Sequence, residues 1–161
     1  MRWVGDDLAR AAAELRSALG LWRGEPLADF RFDEFAQGEI ARLQELRLEA
    51  VEERLAVELA VGGGEELVGE LRALVAEHPF RERMRGQLIV ALYRAGRQAE
   101  ALEVMREGRR LLVGELGLEP GPELRRLERM ILAHNAALSA KQPSAGLLVR
   151  LPAPANETVG R

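Results

Sequence analysis

The amino-acid sequence predicts an all-α fold of antiparallel helix hairpins stacked into a right-handed solenoid. Three observations carry this expectation. Apolar residues recur three and four apart over most of the first 138 residues, the spacing of one face of an α-helix. Glycine and proline cut that pattern into segments of ordinary helix length. Two of the cuts, at Gly62 and Gly96, stand 34 residues apart.

Residues 7–22 form the first stripe, through Leu8, Ala11, Ala12, Leu15, Ala18, Leu19 and Trp22, with Asp6 or Asp7 as N-cap. Gly24 and Pro26 end it, and Phe30, Phe32 and Phe35 are expected to fold the connection back onto the core. A long helix follows over 34–61, capped by Asp33, with Ile40, Leu43, Leu46, Leu55 and Leu59 on one side. Gly62, Gly63 and Gly64 stop it, since each interior glycine costs a helix about 0.8–1 kcal/mol against alanine. The triple glycine lacks both a preceding strand and a following Lys-Ser/Thr, so it reads as a turn rather than a phosphate cradle. Further helices are expected over 65–78, closed before Pro79, over 81–95, closed by Gly96, and over 97–116, closed near Gly117. Pro122 opens a last helix, 122–138, whose stripe includes Leu124, Leu127, Ile131, His134 and Leu138. From 139 to 161 the periodicity stops, and prolines and small residues predict a flexible linker.

The 34-residue spacing is the period of tetratricopeptide repeats. With each glycine as the turn inside a unit, Leu67 aligns with Ala101, Leu71 with Met105 and Leu74 with Gly108. The stretch AGRQAEALEVMREG resembles the turn and second helix of such a unit. The first stripe, VGDDLARAAAELRSAL, runs parallel to it, so the chain reads as beginning inside a unit. Repeat units bury their faces on neighbours. A helix without its hairpin mate exposes an apolar stripe, from which the sequence predicts a homodimer.

Composition narrows the function classes. Of 161 residues, 47% are hydrophobic, 30% charged and only 4% aromatic, a globular balance with a core of Leu, Ala and Val. The formal charge of −3 lacks the basic surplus of a domain that wraps nucleic acid. Lys141 is the only lysine. There is no cysteine, no apolar run long enough to span a bilayer and no signal-peptide core, so the expected location is cytoplasmic. His78 and His134 read as structural, and no histidine pair or carboxylate cluster has the spacing of a metal site. Ser17, Ser139 and Ser144 stand outside any nucleophile elbow. No cofactor and no enzymatic activity are expected. The many Glu–Arg pairs read as solvated helix faces.

Four segments in order, ALGLWRGEPLADF, ARLQELRLEAVEERLAVELAVG, HPFRERMRGQLIVALYRAGRQAEAL and LLVGELGLEPGPELRRLERMIL, cover nearly everything from residue 5 to 138. Together they resemble the bacterial transcriptional activation domain of the Streptomyces antibiotic regulatory protein (SARP) family and its AfsR-type relatives. That resemblance implies a tetratricopeptide-like regulatory module, over residues 1–138, that lacks its first helix. It implies contacts with RNA polymerase or sister protomers, with DNA reached only through a winged-helix domain absent from this sequence. The ending Val159-Gly160-Arg161 resembles the lead into a STAND-type nucleotide-binding domain. Two alternatives follow: a scaffold or autoinhibitory module for such a domain, or a free-standing tetratricopeptide adaptor.

Tetratricopeptide folds bind along the concave face of their first helices, with mixed polarity suited to a peptide or a partner helix. By repeat position that face carries Glu49, Glu52 and Ala56, then Arg83, Gln87, Val90 and Arg94. The six candidate partner-binding residues are Glu49, Glu52, Arg83, Gln87, Val90 and Arg94. Trp22, in the Trp-Arg-Gly signature, is expected in the core.

Overall fold

A computed structural model describes residues 2–30 and 32–134, with side chains from residue 5 onward. The expected linker 139–161 and residues 135–138 of the last expected helix lie outside the described residues. Six α-helices are formed: α1 (Arg2–Gly20), α2 (Glu34–Ala60), α3 (Glu65–Glu77), α4 (Glu82–Arg94), α5 (Gln98–Leu111) and α6 (Pro122–Leu132). A 3-10 turn, Ala28–Phe30, lies between α1 and α2, and a π-helical turn, Leu112–Leu116, extends α5. Among the described residues there is no strand, and the fold is all-α as the apolar period predicts.

The helix ends show why the punctuation works. Asp33 caps α2 by accepting the Phe35 amide at 3.1 Å. Pro122 stands at the start of α6, where its missing N–H leaves no gap in the ladder. Gly62, Gly96 and Gly117 all have positive φ (108°, 75° and 65°), the left-handed geometry that terminates a helix. At the first two turns the hydrogen bonds repeat with the sequence period. The Gly62 amide donates to the Leu59 carbonyl and the Gly96 amide to the Tyr93 carbonyl, each at 3.0 Å. The Gly63 amide donates to Glu58 (2.9 Å), and the Arg97 amide to Leu92 (2.8 Å). Donors and acceptors are each displaced by 34 residues.

Packing centres on α4. Met84, Leu88, Ile89, Ala91 and Leu92 are buried, enclosed by Leu55 and Leu59 of α2, Leu67 and Leu71 of α3, Ala101 and Met105 of α5, and Leu127 and Ile131 of α6. Each such large aliphatic side chain contributes about 1.5–3 kcal/mol on leaving water. The aligned pairs Leu67/Ala101 and Leu71/Met105 are all buried. Gly108, aligned with Leu74, is small for a visible reason. The side chain of Arg85 lies across it, and a Cβ there would fall 2.7 Å from Arg85 Nε and closer still to Cδ.

Four expectations are corrected. Helix α1 starts at Arg2, which puts Asp6 and Asp7 inside it rather than at its cap. It is not without a mate: Leu8 and Ala12 are buried against Val57 of α2, with Leu15, Ala60 and Val61 around them. The long α2 therefore has covering helices on more than one side, and Arg54–Leu59 is buried all round. His134 lies past the end of α6, exposed and at φ 49°, rather than on its apolar stripe. Phe30, Phe32 and Phe35 do not tuck in. The short turns around them, with Phe30 bonded back to Leu27 and Asp33 to Phe30, hold their side chains in solvent.

Candidate protein-interaction surface

The predicted concave face is the contact between α2 and α4, and much of it is closed. Gln87 is 0% exposed and donates from Nε2 to the Glu52 carbonyl at 2.8 Å. Glu52 and Val90 are buried beside it, so three of the six residues are out of reach of a partner while α2 and α4 remain together. Repeat position assigns these residues to one face, but it does not reveal that these two helices approach closely enough to shut that strip. Glu49 is exposed, and Arg83 and Arg94 are half-buried. Arg83 pairs with Glu53 at 2.7 Å and with Glu52 at 3.7 Å, while Arg94 donates to the Leu59 carbonyl.

Burial alters the titration of this strip. It pushes the Glu52 carboxyl above the usual glutamate range, against the opposing pull of Arg81 and Arg83. It likewise lowers Arg94 and Arg85 from the usual guanidinium range. Among the described residues, Arg85 donates to carbonyls, Val104 at 3.3 Å and Pro79 at 3.1 Å, with Glu107 and Glu82 acting at longer range. For Arg54, burial works against the charge, and hydrogen bonds and charge from Glu70 and Glu58 outweigh it.

Several Glu–Arg pairs are thus interior rather than solvated, which corrects a further expectation. Glu58 accepts from Arg16 of α1 at 2.6 Å and from Arg54 at 3.2 Å, and Arg54 reaches on to Glu70 of α3. This chain of charges links three helices. It is stitching rather than a reactive constellation, because each carboxylate is matched by a guanidinium.

The other features give less. His78 lies half-buried at the end of α3, with Nε2 3.9 Å from Glu77. Ser17 is exposed on α1. A recess of about 240 Å³ between α4 and α6 is lined by Glu82, Arg83, Gly86, Pro122, Leu124 and Leu127. Among the described residues no group of three or more His, Asp or Glu is placed to hold a metal ion, and no helix is long and apolar enough to cross a membrane.

What the surface does offer is apolar. In the connection between α1 and α2 and the first turn of α2, Leu21, Phe30, Phe32 and Phe35 are 79%, 56%, 84% and 97% exposed, beside the exposed Leu27. Trp22, expected in the core, is half-buried. Leu27 also holds a left-handed backbone, φ 53°, which an L-residue adopts only at a cost of about 1–2 kcal/mol. Sequence reasoning counted the phenylalanines as core; the cue against that was their setting among Asp29, Asp33 and Glu34 with no regular period.

Fold and surface together define a helical scaffold with charged seams inside and aromatic side chains outside. The sequence model of the family described as "Bacterial transcriptional activator domain" matches residues 4–132. The chain belongs to that family. It is 45% identical over 155 residues to the regulatory protein AfsR of Streptomyces griseus, covering 95% of this chain and 16% of AfsR. It is 39% identical to the regulatory protein DnrI of Streptomyces peucetius, covering 85% of this chain and 50% of DnrI. Among solved structures, Mycobacterium tuberculosis EmbR in complex with a low-affinity phosphopeptide superposes with a TM-score of 0.76 at 37% identity. That match covers 79% of this chain and 34% of the EmbR chain. The chain therefore spans between a sixth and a half of these relatives, and it is a SARP-type transcriptional activator domain by sequence and by fold.

Proposed function

We propose that the chain acts as a regulatory protein–protein interaction module of a SARP/AfsR-type activator, through contacts with RNA polymerase and with sister protomers. The observation that carries this reading is the exposed apolar connection between α1 and α2, beside a charged seam of α1, α2 and α3 whose groups are already paired with one another. Aromatic side chains in water are the usual mark of a surface that another protein covers. Glu49, at the open edge of the α2–α4 contact, and the half-buried Arg83 and Arg94 form a second, polar part of the interaction surface. Glu52, Gln87 and Val90 support it from inside.

The test joins the full chain to an unrelated DNA-binding domain and measures transcription from a promoter carrying that domain's site. In parallel, purified RNA polymerase is captured on the immobilised chain. Transcription above that of the DNA-binding domain alone, together with polymerase capture, is the expected result. Neither signal appearing overturns polymerase contact.

A further inference from the structure

We propose that the recess between α3 and α5 is a binding site for a small organic acid, whose carboxylate pairs with Arg85 and whose short carbon body lies against the apolar wall. This goes beyond the protein-contact reading above and stands independently of it. Three observations carry it.

The first is an interior cation held differently from its neighbours. Arg54 meets Glu58 and Glu70, Arg81 meets Glu45 and Glu52, and Arg83 meets Glu52 and Glu53. Arg85, 4% exposed, is more buried than any of these three, yet among the described residues it donates to the Val104 and Pro79 carbonyls. Those bonds take up two of the five N–H groups of a guanidinium. Glu107 and Glu82 act on it at longer range, and burial lowers it from the usual guanidinium range. Carbonyls satisfy hydrogen bonds without neutralising the charge, so a buried guanidinium held this way still gains from an anion.

The second is space beside that cation. Arg85 forms part of the wall of a recess of about 250 Å³, and both its acceptors, Pro79 and Val104, line it too. Val75 of α3, Leu88 of α4 and Leu111 of α5 make the rest of the wall largely apolar. At about 30 Å³ for each water-sized group, the recess holds roughly eight non-hydrogen atoms. That is smaller than the sites of about 300–1,000 Å³ that take drug-sized molecules, and it suits an acid of about five or six carbons. A bare inorganic anion would leave the apolar wall against water, whereas a carbon chain covers it.

The third is the charge around the opening. Arg72 of α3 and Glu107 of α5 line the recess and are exposed, and Arg72 is already paired with Glu100. Arg85 is therefore the cation that calls for the ligand. Glu107 repels a doubly charged ligand more than a singly charged one, and solvent screens what remains. One carboxylate on a short chain fits this balance.

The experiment titrates the full, isotope-labelled chain with sodium hexanoate and follows its amide resonances, with hexanol and inorganic phosphate as comparison probes. The expected result is saturable shifts around the recess in α3, α4 and α5, with a Kd of roughly 0.1–1 mM for a ligand of this size. Hexanol, which lacks the charge, and phosphate, which lacks the chain, should each bind at least about tenfold more weakly. Hexanoate at about ten times its Kd should raise the unfolding midpoint by about 3–6 °C. Ala76→Phe fills the recess from the exposed side of α3, a helix that carries neither acceptor of Arg85. That variant should keep the wild-type midpoint without ligand and bind hexanoate about tenfold or more weakly. Arg85→Gln should bring hexanoate down to the affinity of hexanol. No saturable shift up to about 20 mM hexanoate overturns the site. So does hexanol or phosphate binding as tightly as hexanoate, or Ala76→Phe binding at wild-type strength.

Discussion

Replacing Gly108 by alanine tests the tightest contact in the body of the fold. In an exposed helix the exchange stabilises by about 0.8–1 kcal/mol, because alanine is the better helix former. Gly69 of α3 is such a site, exposed and with open space where its Cβ would go. At Gly108 the new methyl falls 2.7 Å from Arg85 Nε, about 1 Å inside a comfortable separation of roughly 3.5–4.0 Å. Arg85 must then withdraw, and its bonds to the Val104 and Pro79 carbonyls are lost or stretched. A hydrogen bond from a charged donor is worth about 1.5–3 kcal/mol, so losing one or both outweighs the gain in helix propensity. The expected net cost of Gly108→Ala is about 2 kcal/mol, while Gly69→Ala gains about 1 kcal/mol. At about 2–4 °C per kcal/mol for a chain of this size, the two variants should melt roughly 6–12 °C apart. Thermal and urea unfolding by circular dichroism read the difference. The sharper check is a cycle with Arg85→Ala. Once the guanidinium is gone, Gly108→Ala should become stabilising in that background. Equal melting of Gly108→Ala and Gly69→Ala, or an unchanged Gly108→Ala cost after Arg85→Ala, would refute the interlock.

Other expectations are equally direct. Gly62→Ala and Gly96→Ala should each cost about 1–2 kcal/mol in urea unfolding, and by similar amounts, because both force an L-residue into positive φ at equivalent turns. Glu58→Gln leaves Arg16 and Arg54 facing a neutral amide in a mostly buried seam, and about 1–3 kcal/mol of stability should be lost, less than for an isolated buried pair because Glu70 still holds Arg54. In α1, Leu8→Ala should loosen the α1–α2 contact, seen as faster amide exchange in α1 with protection in α4 retained. Glu52 gives a pH signature: its folded pKa is raised, so the native state keeps the proton longer than the unfolded chain does. Between the ordinary glutamate value and the raised one, wild type should lose stability relative to Glu52→Gln as pH rises, and the difference should level off above that window. A difference in the unfolding midpoints that moves the other way with pH would remove the burial argument.

Much of the architecture was legible because it rests on local rules. Helix boundaries followed from Asp33, Pro122 and the glycines at 62, 96 and 117, each of which acts on hydrogen bonds within a few residues of itself. The repeat was legible for the same reason, since a turn geometry that recurs must recur with its glycine. What the sequence hid were relations across the fold. Arg54 and Glu58 look like any solvent pair four apart, until α1 and α3 close over them. Glu52, Gln87 and Val90 occupy the positions of an open face, and the approach of α4 to α2 shuts it. His134 carries the right spacing for the stripe of α6, and the helix ends before reaching it.

The phenylalanines are the instructive failure, because hydrophobicity alone assigned them to the interior. All four of the chain's phenylalanines are exposed, while Glu52, Arg54, Glu58 and Arg85 are buried. A core built of leucine, alanine and valine has helices close together, as Gly108 beneath Arg85 shows, and leaves little room for a ring. Charges enter such a core as matched or carbonyl-capped seams that fix which helix meets which. Phe30 and Phe32 lie on the connection between α1 and α2, Phe35 in the first turn of α2 and Phe80 between α3 and α4, all outside the closely packed helix faces. Selection for stability alone would favour a polar residue at Phe35, whose side chain is 97% exposed in this chain. Its presence there, two residues after the cap that starts α2, is what the proposed interaction surface would account for.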